Sequence, residues 1–336
     1  MTQFIIRRLL QMVLVLFAIA LLTFLFMRAI PGNPFDTERG VPERTLRQLE
    51  QKYNLDEPLH MQFLHYMEGL IVPFITDTGA PKSVLNDSLI KIAIPGSDQS
   101  ISWINFGPSY RSPSRTVNDI IRDHLPVSIQ LGVAAMMVAM IIGIPAGIIA
   151  ALHRNQAWDY AAMSIALIGV SVPVIVSGPI LRYIFGVQLG LLPAVGWGTP
   201  AHVILPAFAL GFSSAAVLAR LTRASLLQVL HEDYIRTARA KGLSERIVVL
   251  LHAMKNALIP VVTILGPLFA FLITGSFVTE LIFGIPGLGA FFVTSITNRD
   301  YPVIMGTTLL FAFIIVVMNL LVDIVYAWID PRISYS

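Results

Sequence analysis

Long uncharged apolar runs alternate with polar intervals along this chain. Residues 9–27 are nineteen consecutive positions without a charge, preceded by Arg7 and Arg8. Further uncharged runs occupy 125–152, 160–181, 202–219, 257–279 and 301–322, the last continuing towards Trp328. Each approaches or exceeds the ~20 residues that a helix needs to cross the hydrocarbon of a bilayer. Gly143, Pro145 and Gly147 interrupt the second run, and Gly169, Pro173, Gly178 and Pro179 the third. Both residue types are ordinary in packed membrane helices. The pattern predicts an all-α polytopic membrane protein with six transmembrane helices. The first run is too long for a signal peptide, and it exits through Phe26, Met27 and Arg28 instead of small residues.

The polar intervals set the orientation. Residues 186–200 contain no Lys or Arg, and 281–301 contains one, Arg299. The interval 153–159 carries Arg154, and 232–260 carries Arg236, Arg239, Lys241, Arg246 and Lys255. Short loops rich in Lys and Arg stay inside. This places 232–260 and both chain ends, the second closed by Arg332, in the cytoplasm. The interval 30–123, long and mixed in sign, then lies outside. In it Pro42 opens a helix through about Lys52, which Asn54 ends. Asp56 is read as the cap of a second helix from near Pro58, with Leu59, Phe63, Tyr66, Met67 and Leu70 on one face. That face either buries on the membrane domain or lies on the lipid surface. Residues 72–105, with Pro73, Gly79, Pro81, Pro95 and Gly96, alternate too weakly to predict strands. The resulting segments are a first helix at 1–29, an extracytoplasmic region at 30–123, a membrane core at 124–329 and a tail at 330–336.

Composition agrees with this reading. Of 336 residues, 55% are hydrophobic and 13% charged, against about 25% charged in soluble domains. The net charge of +3 is small and its basic residues cluster in one loop, which marks topology and not nucleic-acid binding. The chain has no cysteine, which excludes disulfides, thiolate metal sites and a Cys nucleophile. No GxxxxGK[ST] phosphate loop occurs. Gly284-Ile285-Pro286-Gly287-Leu288-Gly289 has the wrong spacing for a dinucleotide loop and is read as a turn or re-entrant segment. The seven histidines form no HExxH, and they predict no metal site.

The most charged stretch of the second half is 232–260. Glu232, Asp233, Tyr234, Ile235, Arg236, Thr237, Ala238, Arg239, Ala240 and Lys241 contain no helix breaker, and Gly242 suits a left-handed C-cap. Ser244 can then cap a second helix, with Glu245 at its positive end. The words YIRTARAKGL and HAMKNALIPVV resemble the EAA loop of ABC-importer permeases in its oligopeptide/dipeptide form. The generic pattern opens with Glu-Ala-Ala, where this chain has Arg236-Thr237-Ala238. RAIPGNPF at 28–35, PERTLRQLEQKYNLDEPLHMQF at 42–63, FGPSY at 106–110 and FGIPGLG at 283–289 are also similar to the B-type transmembrane subunits of that branch. Residues 72–105 look inserted relative to it.

The resemblance implies a type I ABC importer permease fold in a bacterial inner membrane. It implies a second homologous permease subunit, two cytoplasmic ATPases that bind ATP and Mg, an extracytoplasmic peptide-binding protein and a peptide substrate. In that family 232–243 is the helix that docks on the ATPase. The chain itself would hold no cofactor and be no enzyme.

Candidate pathway residues are Ser171, Pro173, Ser177 and Asn319. The broken stretch around Pro173 either lines a cavity or packs closely on a neighbouring helix. An ion- or proton-coupled secondary transporter is the alternative; Asp323 is nearly its sole candidate coupling group. A membrane enzyme has no nucleophile–base or metal constellation to support it.

Overall fold

The computed structural model describes residues 2–30, 34–35, 42–77, 87–112 and 114–329, with side chains at 2–5 and 325–329 excepted. Gly79, Pro81, Arg332 and the tail at 330–336, all invoked above, lie outside the described residues, as do positions 31–33 of RAIPGNPF.

Two compact units emerge. One comprises 6–126 and 290–313. It contains most of the first apolar helix α1 (Thr2–Ala29), then α2 (Glu43–Lys52) and α3 (Leu59–Ile71). Pro42 stands at the N-cap of α2, and Asn54 takes a left-handed φ of 54° just beyond its end. The cap of α3 is Pro58, with no side-chain cap bond, so Asp56 does not have the role predicted for it. Gln62 closes the turn instead, donating its amide to the carbonyls of Leu55 and Glu57. Phe63 of α3 packs on Phe17 and Phe24 of α1 at 5.9 and 5.3 Å between ring centres. Phe63 thus rests on α1, Tyr66, Met67 and Leu70 of the same face are half-buried, and Leu59 at its start stays exposed.

The helix-only expectation needs one correction, at 72–105. Strands β1 (Phe74–Asp77), β2 (Ile90–Ala93) and β3 (Gln99–Trp103) form an antiparallel sheet in the order β1-β3-β2. Its polarity is inverted. Thr76, Ser100 and Ser102 are buried and joined through their hydroxyls, while Ile75, Ile101 and Ile92 sit opposite one another in the register and are exposed. Arg122 and Thr116 hold the buried Asp87 beside the sheet.

The second unit comprises 1–5, 127–289 and 314–336. Here α4 (Val117–Leu152), which begins in the first unit, packs on α7 (Pro200–Val229). A Cβ on Gly143 would lie 2.4 Å from the Ala215 carbonyl oxygen, and one on Gly147 2.5 Å from that of Ala219. Glycine four residues apart lets the two backbones meet, as in small-xxx-small membrane contacts. α5 (Ala157–Ser171) also packs on α7. Asp159, buried at the start of α5, receives two bonds from the Arg223 guanidinium at 2.6 and 2.7 Å.

Four described helices are long and apolar enough to cross a membrane: Ile6–Ala29, Val117–Leu152, Pro200–Val229 and Tyr301–Ile324. Three bent pairs add to these. The third predicted span, 160–181, is not one helix. α5 stops at Ser171, and α6 (Val174–Leu181) with its π-helical extension to Gln188 leaves at 104°. Pro173 has no amide to donate and drives Val172 into extended backbone, ending α5. At 1.5 Å per residue α5 alone is about 22 Å long.

The pair Glu245–Ala257 and Ile259–Thr274 bends by 51° at Leu258. It consists of α9 (Glu245–Ile247), a π-helical stretch, α10 (Met254–Ala257) and α11 (Ile259–Thr274). The pair α12 (Phe277–Phe283) and α13 (Leu288–Asn298) turns by 94° at FGIPGLG, the turn expected there. α14 (Tyr301–Ile329) closes the helical order.

Candidate functional site

The basic stretch folds as predicted. α8 (Asp233–Ala240) follows α7 after a short turn, and Lys241 and Gly242 end it, with Gly242 at φ 79°. A β-carbon at Gly242 would meet nothing within 4 Å. Glycine is therefore required by the left-handed backbone and not by crowding. Ser244 occupies the N-cap of α9 but makes no side-chain cap bond.

The two faces of α8 divide at helical spacing. Ile235 and Ala238 are buried against Leu226, Val248, Val249 and Ala253 of the same chain. The small Ala238 side chain lets α8 approach these neighbours closely. Glu232, Asp233, Tyr234, Arg236, Thr237, Arg239, Ala240, Lys241 and Gly242 are exposed. Two fastenings hold α8 from its sides. Arg239 forks onto the Glu245 carboxylate at 2.6 and 3.0 Å, which raises its pKa further above the ordinary arginine value. The Asn256 amide donates to the Tyr234 hydroxyl at 2.7 Å. Arg236 and Lys241 keep their charges on the open face, where Arg236 makes an exposed contact with Asp233 at 3.3 Å. Such an exposed pair contributes at most ~1 kcal/mol and leaves the guanidinium available.

A second polar centre went unnoticed in the sequence. Glu280 on α12 is fully buried. Its Oε1 accepts from the hydroxyls of Ser276 at 2.6 Å and Ser128 on α4 at 2.7 Å. The Ser128 hydroxyl in turn accepts the Leu288 amide at 2.9 Å. The FGIPGLG turn folds over the carboxylate. Cβ atoms built on Gly287 and Gly289 would lie 2.3 Å from Glu280 Cδ and 3.0 Å from its Oε2. Ile285 donates its amide to the Glu280 carbonyl. The arrangement is a clasp that fixes the turn between α12 and α13 to α4. A lone acid in an otherwise apolar run was the available signal.

Of the candidate pathway residues, Ser171, Pro173 and Ser177 lie together at the α5/α6 break, where the Ser177 hydroxyl donates to the Pro173 carbonyl at 3.4 Å. Asn319 is exposed on α14, and no hydrogen bond among the described residues joins it to that cluster. Asp323 is half-buried on α14. No cluster of three or more potential metal ligands occurs among the described residues.

The chain is similar to known proteins over its whole length. It is 44% identical over 334 residues to the dipeptide transport system permease protein DppB of Bacillus subtilis, covering 99% of this chain and 98% of that one. The oligopeptide transport system permease protein OppB of Haemophilus influenzae is 41% identical over 337 residues, with both chains fully covered. The glutathione transport system permease protein GsiC of Escherichia coli O1:K1 is 42% identical over 339 residues, again fully covered. A solved inward-facing structure of the MetNI methionine ABC transporter shares the fold, with TM-score 0.51 and 17% identity, covering 63% of this chain and 96% of that one. The N-terminal family model of such membrane components matches residues 1–83. Residues 84–105, the larger part of the sheet segment, fall outside both family matches but within the alignments to these relatives. The model for binding-protein-dependent transport system inner membrane components matches residues 143–335, and the chain belongs to that family of ABC importer permeases.

Proposed function

We propose that this chain is one transmembrane subunit of an ATP-driven peptide importer of a bacterial inner membrane. In this reading it supplies half of the translocation pathway beside a second, homologous permease. Two cytoplasmic ATPases bind ATP and Mg, and an extracytoplasmic binding protein delivers the peptide. The permeases named above carry dipeptides, oligopeptides and glutathione by name, which supports a short-peptide substrate. The family assignment favours this reading over an ion-coupled carrier.

The observation that carries the mechanism is the division of α8 into a buried anchor, Ile235 and Ala238, and an open basic face, Arg236 and Lys241. Charge-assisted bonds from that face suit an acidic groove on an ATPase. The fastenings of Arg239 and Tyr234 make α8 move with the helix that follows it. Closure of the ATPases on ATP would thereby turn the membrane helices and open the cavity outwards, and hydrolysis would reset it. Six crossings with both ends inside fit the charge pattern if α5 crosses alone and α12–α13 re-enters from outside. The exposed isoleucine row of the sheet then faces the binding protein.

The test is peptide uptake into inside-empty membrane vesicles, with and without internal ATP, alongside co-purification of the ATPases. Uptake should require internal ATP. Arg236→Glu and Gly242→Val should insert normally yet lose ATPase retention and uptake. Cysteines at Asp98 and Ser244 should label from opposite sides. Uptake driven by a proton gradient without ATP, or labelling of both cysteines from outside, would overturn the proposal.

A further inference from the structure

The unit formed by 6–126 and 290–313 contains a cavity of about 560 Å³. It sits where two apolar helices meet the polar region, with Phe24 and Met27 from the end of α1 and Met305 from the start of α14 forming an apolar wall. Arg28 and Lys52 supply two cations to its lining, and no Asp or Glu is among its described lining residues. The Arg28 guanidinium rests 5.5 Å from the Phe24 ring centre and 5.7 Å from that of Tyr301. The Lys52 ammonium rests 5.4 Å from the Tyr53 ring centre. Neither cation forms an ion pair among the described residues. Cation–π contacts hold such groups in place without neutralising them.

Two other lining groups are polar, buried and without a hydrogen-bond partner among the described residues: the Tyr66 hydroxyl and Gln62 Oε1. Burial raises the Tyr66 pKa well above the ordinary tyrosine value, so its hydroxyl remains a donor. Gln62 Oε1, a carbonyl oxygen, can only accept, and the bonds of its amide nitrogen to Leu55 and Glu57 fix the orientation of the amide. Native proteins rarely bury such atoms without a partner. His65, also in the lining, faces the Glu57 carboxylate at 3.1 Å. Asp300, behind the tyrosines, is engaged by the Ser109 hydroxyl at 2.5 Å and the Tyr110 amide at 3.0 Å.

The complementary ligand has a negative group for the cations, an acceptor for Tyr66, a hydroxyl for Gln62 and an apolar body for the wall. The ends of two membrane-length helices place the cavity at the edge of a bilayer. We propose that it binds an anionic phospholipid with a hydroxyl-bearing headgroup, of the phosphatidylglycerol kind.

The full chain, purified in detergent with its co-purifying subunits, is titrated with phosphatidylglycerol or phosphatidylcholine of matched acyl chains, and bound lipid is counted by native mass spectrometry. Wild type should retain one phosphatidylglycerol at least tenfold more tightly than phosphatidylcholine. Arg28→Gln should abolish that preference, and Lys52→Gln should weaken it several-fold. If Arg28→Gln fails to fold, the Lys52→Gln/Tyr66→Phe double variant carries the test, with loss of the preference expected. Equal retention of the two lipids by wild type, or an undiminished preference in the variants, would overturn the proposal. Competition by inorganic phosphate or by a short peptide at equimolar concentration would also overturn it, assigning the cavity to a soluble anion or to the transported substrate.

Discussion

Substitution of Gly287 by alanine should open the Glu280 clasp. The new methyl would lie 2.3 Å from Glu280 Cδ and 2.4 and 2.6 Å from its two oxygens, where carbon atoms prefer 3.5–4.0 Å. The carboxylate must therefore shift by roughly 1 Å or more, pulling Oε1 off Ser128 and Ser276. Hydrogen bonds of this kind contribute about 1–3 kcal/mol each, so the substitution should cost about 2–6 kcal/mol. Glu280→Ala removes the obstruction, and in that background Gly287→Ala should cost little more. The coupling energy of the cycle should exceed ~1 kcal/mol. Unfolding of the purified permease in mixed micelles measures all four corners, and vesicle uptake shows whether the turn must be clasped for transport. Additivity within ~0.5 kcal/mol, or a Gly287→Ala variant as stable as wild type, would show that the carboxylate does not hold the turn.

Two further substitutions separate anchoring from docking and pairing from mere proximity. Ala238→Asp should place an unpaired charge among Ile235, Leu226 and Val248, at a cost of several kcal/mol, so the permease itself should fall in membrane immunoblots; normal accumulation of a permease that merely fails to retain the ATPases would return Ala238 to the docking surface. Arg223→Met should strand the buried Asp159 carboxylate and cost about 3–5 kcal/mol, while Asp159→Leu/Arg223→Met should unfold at a midpoint closer to wild type; a double variant no better than Arg223→Met would refute this.

The sequence made some of this legible and hid the rest for identifiable reasons. Charge-free runs located the long helices because the bilayer demands length and apolarity together. Pro173 announced a break, but neighbouring helices decide whether a proline kinks a span or turns it through 104°. The small sheet escaped because its alternation is inverted, with Thr76, Ser100 and Ser102 inside and isoleucines outside. The Gly242 turn could be read, since a left-handed cap restricts the residue itself. The inward face of α8 could not, because alanine suits a packed interior and a docking surface equally. Asp159 and Arg223 are 64 positions apart, and nothing local pairs them.

Helix α8 and the clasp stand at opposite ends of one helical run. Ile235 and Ala238 pack on the π-helical stretch after α9, Arg239 holds Glu245, and Tyr234 holds Asn256. These three attachments make α8 and residues 245–257 a single stiff piece. The run next bends, by 51° at Leu258, just before Pro260. Proline there withholds an amide from the helix ladder, so rotation between the stiff piece and α11 costs least at this point. Beyond α11 the chain passes through Gly275 into α12, where Glu280 ties the turn back to Ser128 on α4. A force applied at Arg236 therefore meets a rigid lever, then a yielding joint, then a fixed point. That is the order a device needs if a displacement at its inner end is to become a change of helix angle and not a local distortion of the loop.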